Sequence, residues 1–343
     1  MTRTMKNGGC GLAVALVALC GAAGAGRAAD DSEQARPDAV LAFPTRDVAG
    51  VRELYADPKT PDATAWGTLT LPDDLADGET VPAMIILHGS GGEWSGRGAR
   101  HAAFLARHGI AALVVETFES RGLGRGMAYI ERLRHANLPD QVTDAYAALE
   151  ALAARPAIDA ERIGVMGYSM GGMSTFLAAY DEIAREASDT PHRFGLHVAF
   201  YAPCAFALNN RRTTGAPIVA LWGTEDESTD KAACTGFLRE LEAGGSPVTA
   251  HWLEGAAHGW NNLSDRRFYA SLPTARPCWF RVRGDGTMVE EVTGRAAPTD
   301  TAMVDALSVC SDRGYTIGHD AEANETANRL LLEAIGRALG PAD

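Results

Sequence analysis

The chain has 343 residues, 46% of them apolar, and a formal net charge of −13. That apolar share can bury a sizeable core and excludes global disorder. Asp+Glu 44 against Lys+Arg 31 excludes a broad nucleic-acid surface, which needs a basic stripe.

The N-terminus carries targeting signals. Arg3 and Lys6 precede an apolar run at 11–23, about as long as a signal-peptide core and short for a membrane span. Ala23-Gly24-Ala25 fits the small-x-small cleavage rule, with Gly26-Arg27-Ala28 as a second candidate. Residues 1–25 are therefore expected to be a signal peptide and 26–38 a flexible leader. Cys20 raises a lipid anchor, but Leu19 stands where such signals want a small residue. No other apolar run approaches 18 residues, so no membrane span is expected. The expected location is periplasmic or secreted. Cys204, Cys234, Cys278 and Cys310 remain after cleavage, an even number suited to an oxidising compartment. Four cysteines allow three pairings. Cys204–Cys234 with Cys278–Cys310 is favoured: the first would join loops after neighbouring strands, the second would staple a C-terminal excursion. A buried free thiol stays open for any one of them. With no CxxC and no HExxH motif, no metal is expected.

Beyond residue 38 the pattern alternates. Residues 66–71 alternate like an antiparallel strand, and 83–87 are apolar throughout. Residues 98–108 read as a helix stopped by Gly109, and 110–115 as another all-apolar strand. Val142, Ala145, Tyr146, Leu149 and Leu152 recur at three-four spacing behind Pro139, a helix over 139–154. Strands are expected at 163–166, 196–201, 218–222 and 248–253. Helices are expected at 170–183, 230–243 and 321–339. Strands that are apolar along their whole length are buried on both faces. The fold class is therefore α/β, a mostly parallel doubly wound sheet with helices on both faces. Residues 39–343 are expected to form one domain. Residues 260–320 break the rhythm with a hairpin signal around Gly284-Asp285-Gly286, and read as an insertion before the last helix.

The strongest local motif is Gly167-Tyr168-Ser169-Met170-Gly171. Alone a GxSxG is weak; here it follows a strand and opens a helix. A tight turn there lifts the serine hydroxyl out of the sheet edge, and flanking glycines remove colliding side chains. Serine needs a base. His258, in the loop after the last core strand, is the candidate. Of the other histidines, His101, His108 and His135 lie on or near helices and are expected at the surface, whereas His197 and His251 fall within strands. The imidazole needs an acid to set its tautomer. The loop after 218–222 offers Glu225, Asp226 and Glu227; Asp226 is the choice and Glu225 the runner-up. The order Ser, Asp, His is that of α/β-hydrolases. In His88-Gly89-Ser90-Gly91-Gly92, glycines let backbone N–H groups approach a carbonyl oxygen, and the N–H groups of Met170 and Ser90 are the expected oxyanion donors.

These residues resemble the dienelactone hydrolase family of α/β-hydrolases over about residues 60–340. The carriers are HGSGG at 88–92, ETFESRG at 116–122, RIGVMGYSMGG at 162–172, GTED at 223–226 and AAHGW at 256–260. The chain looks most like the exported branch of that family, where paired cysteines match Cys204 and Cys234. The resemblance implies a compact α/β-hydrolase fold without a large lid. It matches Arg121 to an arginine that meets a substrate carboxylate; a structural ion pair is the alternative. Trp260, beside His258, is a candidate substrate contact. The founding members use a cysteine nucleophile where this chain has Ser169. A serine with a full base suits ordinary carboxylic esters, so lactone specificity is not carried over.

The expectation is a serine hydrolase that cleaves small-molecule or polymeric carboxylic esters through an acyl-enzyme, with no cofactor. The oligomeric state stays open. The same machinery would serve an amidase, peptidase or lactone hydrolase. A non-catalytic binding protein on a hydrolase scaffold is a third reading, from another class.

Overall fold

A strand that is apolar on both sides needs two covers, and the chain supplies them from alternating helices. The computed structural model describes residues 39–56, 59–93 and 95–340. The expected signal peptide and leader, with Cys20, lie outside the described residues. The first half runs β1 (Ala39–Thr45), α1 (Val51–Leu54), β2 (Ala63–Thr70), β3 (Val81–Leu87), α2 (Arg97–Ala106), β4 (Ala111–Val115), α3 (Thr117–Ser120), α4 (Tyr129–His135), α5 (Leu138–Ala153) and β5 (Ile158–Tyr168). Then come α6 (Met170–Ala178), α7 (Asp181–Ala187), β6 (His197–Phe200), β7 (Phe206–Leu208), β8 (Ile218–Gly223), α8 (Lys231–Ala243) and β9 (Val248–Leu253). The chain ends with β10 (Arg267–Pro273), β11 (Phe280–Val282), β12 (Met288–Glu290), β13 (Arg295–Ala296), α9 (Asp300–Cys310), β14 (Arg313–Ile317) and α10 (Ala321–Ala338).

The central sheet has the order β1-β2-β4-β3-β5-β6-β8-β9. β1 and β2 run antiparallel at one side; from β4 onward neighbours are parallel. β3 shows why an unbroken apolar run works. Met84 and Ile86 join one buried cluster with residues of α2 and α10, whereas Ala83, Ile85 and Leu87 join the other with residues of α5 and α6. α5 begins where the sequence stops it from beginning earlier. Asn137 and Asp140 form a reciprocal capping box, and Pro139 sits in the first turn, where its missing N–H costs nothing.

Three readings of the sequence change. β1 was not expected; it pairs with β2 along its length, and Pro44 is tolerated because β1 is the edge strand. The helix expected over 170–183 is two helices. Tyr180 is extended and bridges to Thr213, and the Asp181 N–H donates to the Arg212 carbonyl at 3.0 Å, so the ladder breaks there. His101, expected at the surface, is 5% exposed beneath α10, with Nδ1 2.5 Å from the Tyr168 hydroxyl and Nε2 2.9 Å from Asn328 Oδ1.

The segment after β9 adds two small sheets: a β10–β14 ribbon, and β13-β12-β11-β7. In the second, β11 runs parallel to β7, which belongs to the chain between β6 and β8. Both disulfides brace this region. Cys204–Cys234 ties the approach to β7 to α8, and Cys278–Cys310 ties the approach to β11 to the end of α9. Among the described residues no helix is long and apolar enough to cross a membrane.

Candidate active site

Register gathers the loops. Leu87 of β3 lies opposite Gly167 of β5, Tyr168 opposite Phe200 of β6, Phe200 opposite Leu221 of β8, and Gly223 opposite Leu253 of β9. Parallel strands in register end together, so the segments beginning at His88, Ser169, Thr224 and Glu254 leave the sheet at one edge.

Ser169 sits on the sharpest of these turns, with φ 51° and ψ −111°. That conformation is strained for any residue with a Cβ. The flanking glycines make it possible. A Cβ on Gly167 would lie 2.2 Å from the Gly171 carbonyl carbon, and one on Gly171 2.3 Å from the Leu87 carbonyl oxygen. The Ser169 N–H donates to the Phe200 carbonyl at 2.9 Å, and the Ser169 carbonyl accepts from the Met173 N–H at 3.0 Å. The turn is thus locked from both sides.

His258 Nε2 lies 3.1 Å from Ser169 Oγ, and His258 Nδ1 lies 2.8 Å from Asp226 Oδ2. A carboxylate only accepts, so Nδ1 carries the proton and Nε2 presents its lone pair to the serine hydroxyl. Asp226 is 6% exposed and His258 5%. The other carboxylate oxygen, Oδ1, accepts from the Ser228 N–H at 2.9 Å and the Ser228 hydroxyl at 2.6 Å. Ser228 escaped the sequence analysis, though its place two residues after a candidate acid in a tight loop is the signature of an Asx turn. The His258 loop is held by β14. The His258 N–H donates to the Thr316 carbonyl at 3.2 Å, and the Gly318 N–H donates to the His258 carbonyl at 3.1 Å. The segment at 260–320 therefore positions the imidazole.

The 88–92 loop packs on the serine turn: a Cβ on Gly89 would lie 3.5 Å from Ser169 Cβ. Gln141 of α5, also missed in the sequence, anchors it. Gln141 Nε2 donates to the His88 carbonyl at 2.9 Å, and Gln141 Oε1 accepts from the Ser174 hydroxyl of α6 at 2.9 Å. Burial pushes the His88 imidazole down to about 4, so the ring is neutral, and its Nδ1 lies 2.8 Å from the Gly89 carbonyl. Met170 opens α6, where the backbone N–H lacks an intrahelical acceptor. Ser90 and Met170 line the same cavity as Ser169 and His258.

Two expected substrate contacts lie elsewhere. Arg121 is buried in an ion-pair network. Its guanidinium lies 2.8 Å from Asp47 Oδ1 and 2.8 Å from Asp144 Oδ2, with Asp140 at 3.4 Å. It lines neither cavity at Ser169. The structural alternative is the one observed, because three carboxylates converge where the sequence showed only an arginine. Arg121→Met should therefore strand Asp140 and Asp144, and lower stability by about 3–5 kcal/mol. Urea unfolding reads this. Retained stability with a raised KM would instead put Arg121 at the substrate. Trp260 is fully buried against Phe200 and Tyr201 and lines neither cavity. It is a core residue, not a substrate contact. Of the other acids, Glu225 pairs with Arg266 at the surface, and Glu227 accepts from the Thr316 N–H at 2.8 Å.

Ser169 stands where two cavities meet, and Ser90, Tyr129, His258 and Tyr315 line both. One, about 110 Å³, is mostly apolar and runs toward α6, β11 and α9. The other, the more polar cleft of the two, is about 440 Å³ and is bounded by Gly89–Gly92 and by Arg97, Arg125 and Arg132. Neither α4 nor Tyr129 on it was expected; the spacing of Tyr129, Ile130 and Leu133 was the available signal. Among the described residues no group of three or more His, Cys, Asp or Glu is placed to hold a metal ion.

A strand order of this kind, with a strained serine between a parallel strand and its helix, defines an α/β-hydrolase. The model of the dienelactone hydrolase family matches residues 68–282, and the chain belongs to that family. It is a carboxylic ester hydrolase. No curated protein matches the chain. Among solved structures, the butyrate-bound esterase Est2 of Thermogutta terrifontis is 16% identical, with 87% of this chain and 96% of that chain covered and a TM-score of 0.49. The propionate-bound form of the same esterase is 15% identical, with coverages of 64% and 86% and a TM-score of 0.45.

Proposed function

We propose that the protein cleaves carboxylic esters of small molecules through an acyl-enzyme on a Ser169-His258-Asp226 triad. Ser169 Oγ attacks the ester carbonyl while its proton passes to His258 Nε2. The N–H groups of Met170 and Ser90 receive the negative charge that develops on the carbonyl oxygen; each such donor contributes about 3–4 kcal/mol of barrier lowering. The carbon–oxygen bond to the alcohol then breaks, and the alcohol leaves with the proton from His258. Water repeats the sequence from the other direction and frees the acid. Asp226 holds the imidazole in its productive tautomer and stabilises the imidazolium.

The observation that supports this reading is the unbroken hydrogen-bond line from Asp226 through His258 to Ser169. The arginines of the polar cleft favour a polar or anionic group on one side of the scissile bond. We also infer export to an oxidising compartment, which the two disulfides favour. A fluorophosphonate probe should label the protein at Ser169, and nitrophenyl esters should turn over far faster than the matching anilides. Absence of labelling would sink the acyl-enzyme; faster anilide turnover would make the protein an amidase.

A further inference from the structure

The apolar cavity has a wall that the family match does not reach. Met288, Met303, Val304 and Leu307 line it, and all lie beyond residue 282. Met303 and Leu307 are four residues apart, so they point from one face of α9. That helix is held at several points. Cys278–Cys310 closes its C-terminal end, and Thr299 caps its start through the Ala302 N–H at 3.2 Å. Arg134 of α4 pairs with Asp305 at 2.7 Å, and the Asp300 N–H donates to the Ala49 carbonyl at 2.6 Å. Across the cavity stand Met173 and Leu177 of α6, the helix that Ser169 opens. The result is an apolar slot between the nucleophile's own helix and a braced helix from the C-terminal segment.

We propose that this slot is the acyl site, and that Met303 and Leu307 set the length of acyl chain the enzyme accepts. The proposal rests on Ser169 as the nucleophile. Between the two half-reactions the acyl group stays bonded to Ser169 Oγ, while the alcohol departs and water arrives. Departure and arrival need a wet route past His258. The polar cleft supplies it, which leaves the apolar slot to the group that stays. A cavity of 150 Å³ holds benzene, roughly 25 Å³ per carbon. At that ratio about 110 Å³ accommodates about four carbons beyond the carbonyl. The substrate class is therefore esters of short alkanoic acids near pentanoate in size, and not esters of long-chain fatty acids.

The test is a nitrophenyl ester series from acetyl to dodecanoyl on the mature protein. From acetyl to about pentanoyl, kcat/KM should rise about fourfold per methylene, the value of burying one CH2. It should fall beyond that length. Met303→Ala should move the optimum to longer chains by roughly one to three carbons, and Leu307→Trp should lower the octanoyl-to-acetyl ratio at least tenfold. Two substitutions of opposite sense guard against a variant that fails to fold. A second series, with constant acyl group and varied alcohol, should keep its order of preference in both. An acyl profile that neither substitution moves, or an alcohol preference that moves in its place, overturns the acyl-site assignment. Fluorophosphonate labelling of Ser169 separates the two levels. With labelling intact, such results refute the acyl site alone; without labelling or ester turnover, the serine reading falls as well.

Discussion

Ser169→Ala should lower kcat by about a millionfold and leave the folded protein nearly as stable as before. The magnitude is that of removing the nucleophile from a complete triad, where the remaining groups cannot act alone. The stability part follows from the backbone. Ser169 holds φ 51°, a conformation that costs roughly 1–3 kcal/mol for a residue with a Cβ. Alanine keeps that cost and removes only the contact to His258 Nε2. Glycine removes the cost. Ser169→Gly should be equally inactive yet melt a few degrees higher than the native protein. Calorimetry and steady-state ester hydrolysis check both variants. Substantial turnover by either would end the assignment of Ser169 as nucleophile.

Asp226→Asn should lower kcat by about 10⁴-fold, through the tautomer and not through the fold. Asp226 Oδ1 accepts two hydrogen bonds from Ser228, one from its N–H and one from its hydroxyl. An asparagine there must keep its carbonyl oxygen toward those two donors. Its amide NH2 then faces His258 Nδ1, where Asp226 Oδ2 now stands. A donor opposite Nδ1 moves the ring proton to Nε2, and that nitrogen can no longer take the serine proton. Glu225→Gln is the paired control. Glu225 faces Arg266 at the surface, so kcat should change by less than about threefold. If Glu225→Gln proves far more damaging than Asp226→Asn, the acid has been misassigned.

Much of the architecture was legible because it is local. An unbroken apolar run such as 83–87 announces burial on both faces, and Pro139 with the three-four spacing behind it announces a helix start. What failed was local evidence overruled by a distant partner. β1 carried no strand signal that the reading used, and it forms because β2 offers it an edge to pair with, where Pro44 is tolerated. Residues 170–183 have helical composition throughout, yet the bridge from Tyr180 to Thr213 breaks them in two. His101 looks like any polar residue on a helix; only the packing of α10 over α2 encloses it with Tyr168 and Asn328.

The sequence alone determined where an activated serine could stand, because a GxSxG turn is set by glycines within two residues of it. It also determined which loops carry the histidine and the acids, since chain order decides which strand each loop follows. It ranked Asp226 ahead of Glu225 as the acid, but could not show which of the three carboxylates in that loop reaches His258. Successive side chains in a loop point in different directions, and which one meets His258 depends on how β8, β9 and β14 come together. The tertiary structure likewise turned Arg121 into the centre of an ion-pair network and Trp260 into core. It also made Met288, Met303, Val304 and Leu307 a wall of the apolar slot. In each case the deciding energy, pairing a buried charge or covering an apolar surface, comes from groups far away in the chain. Such contacts leave no periodic trace in the sequence around any one of their members.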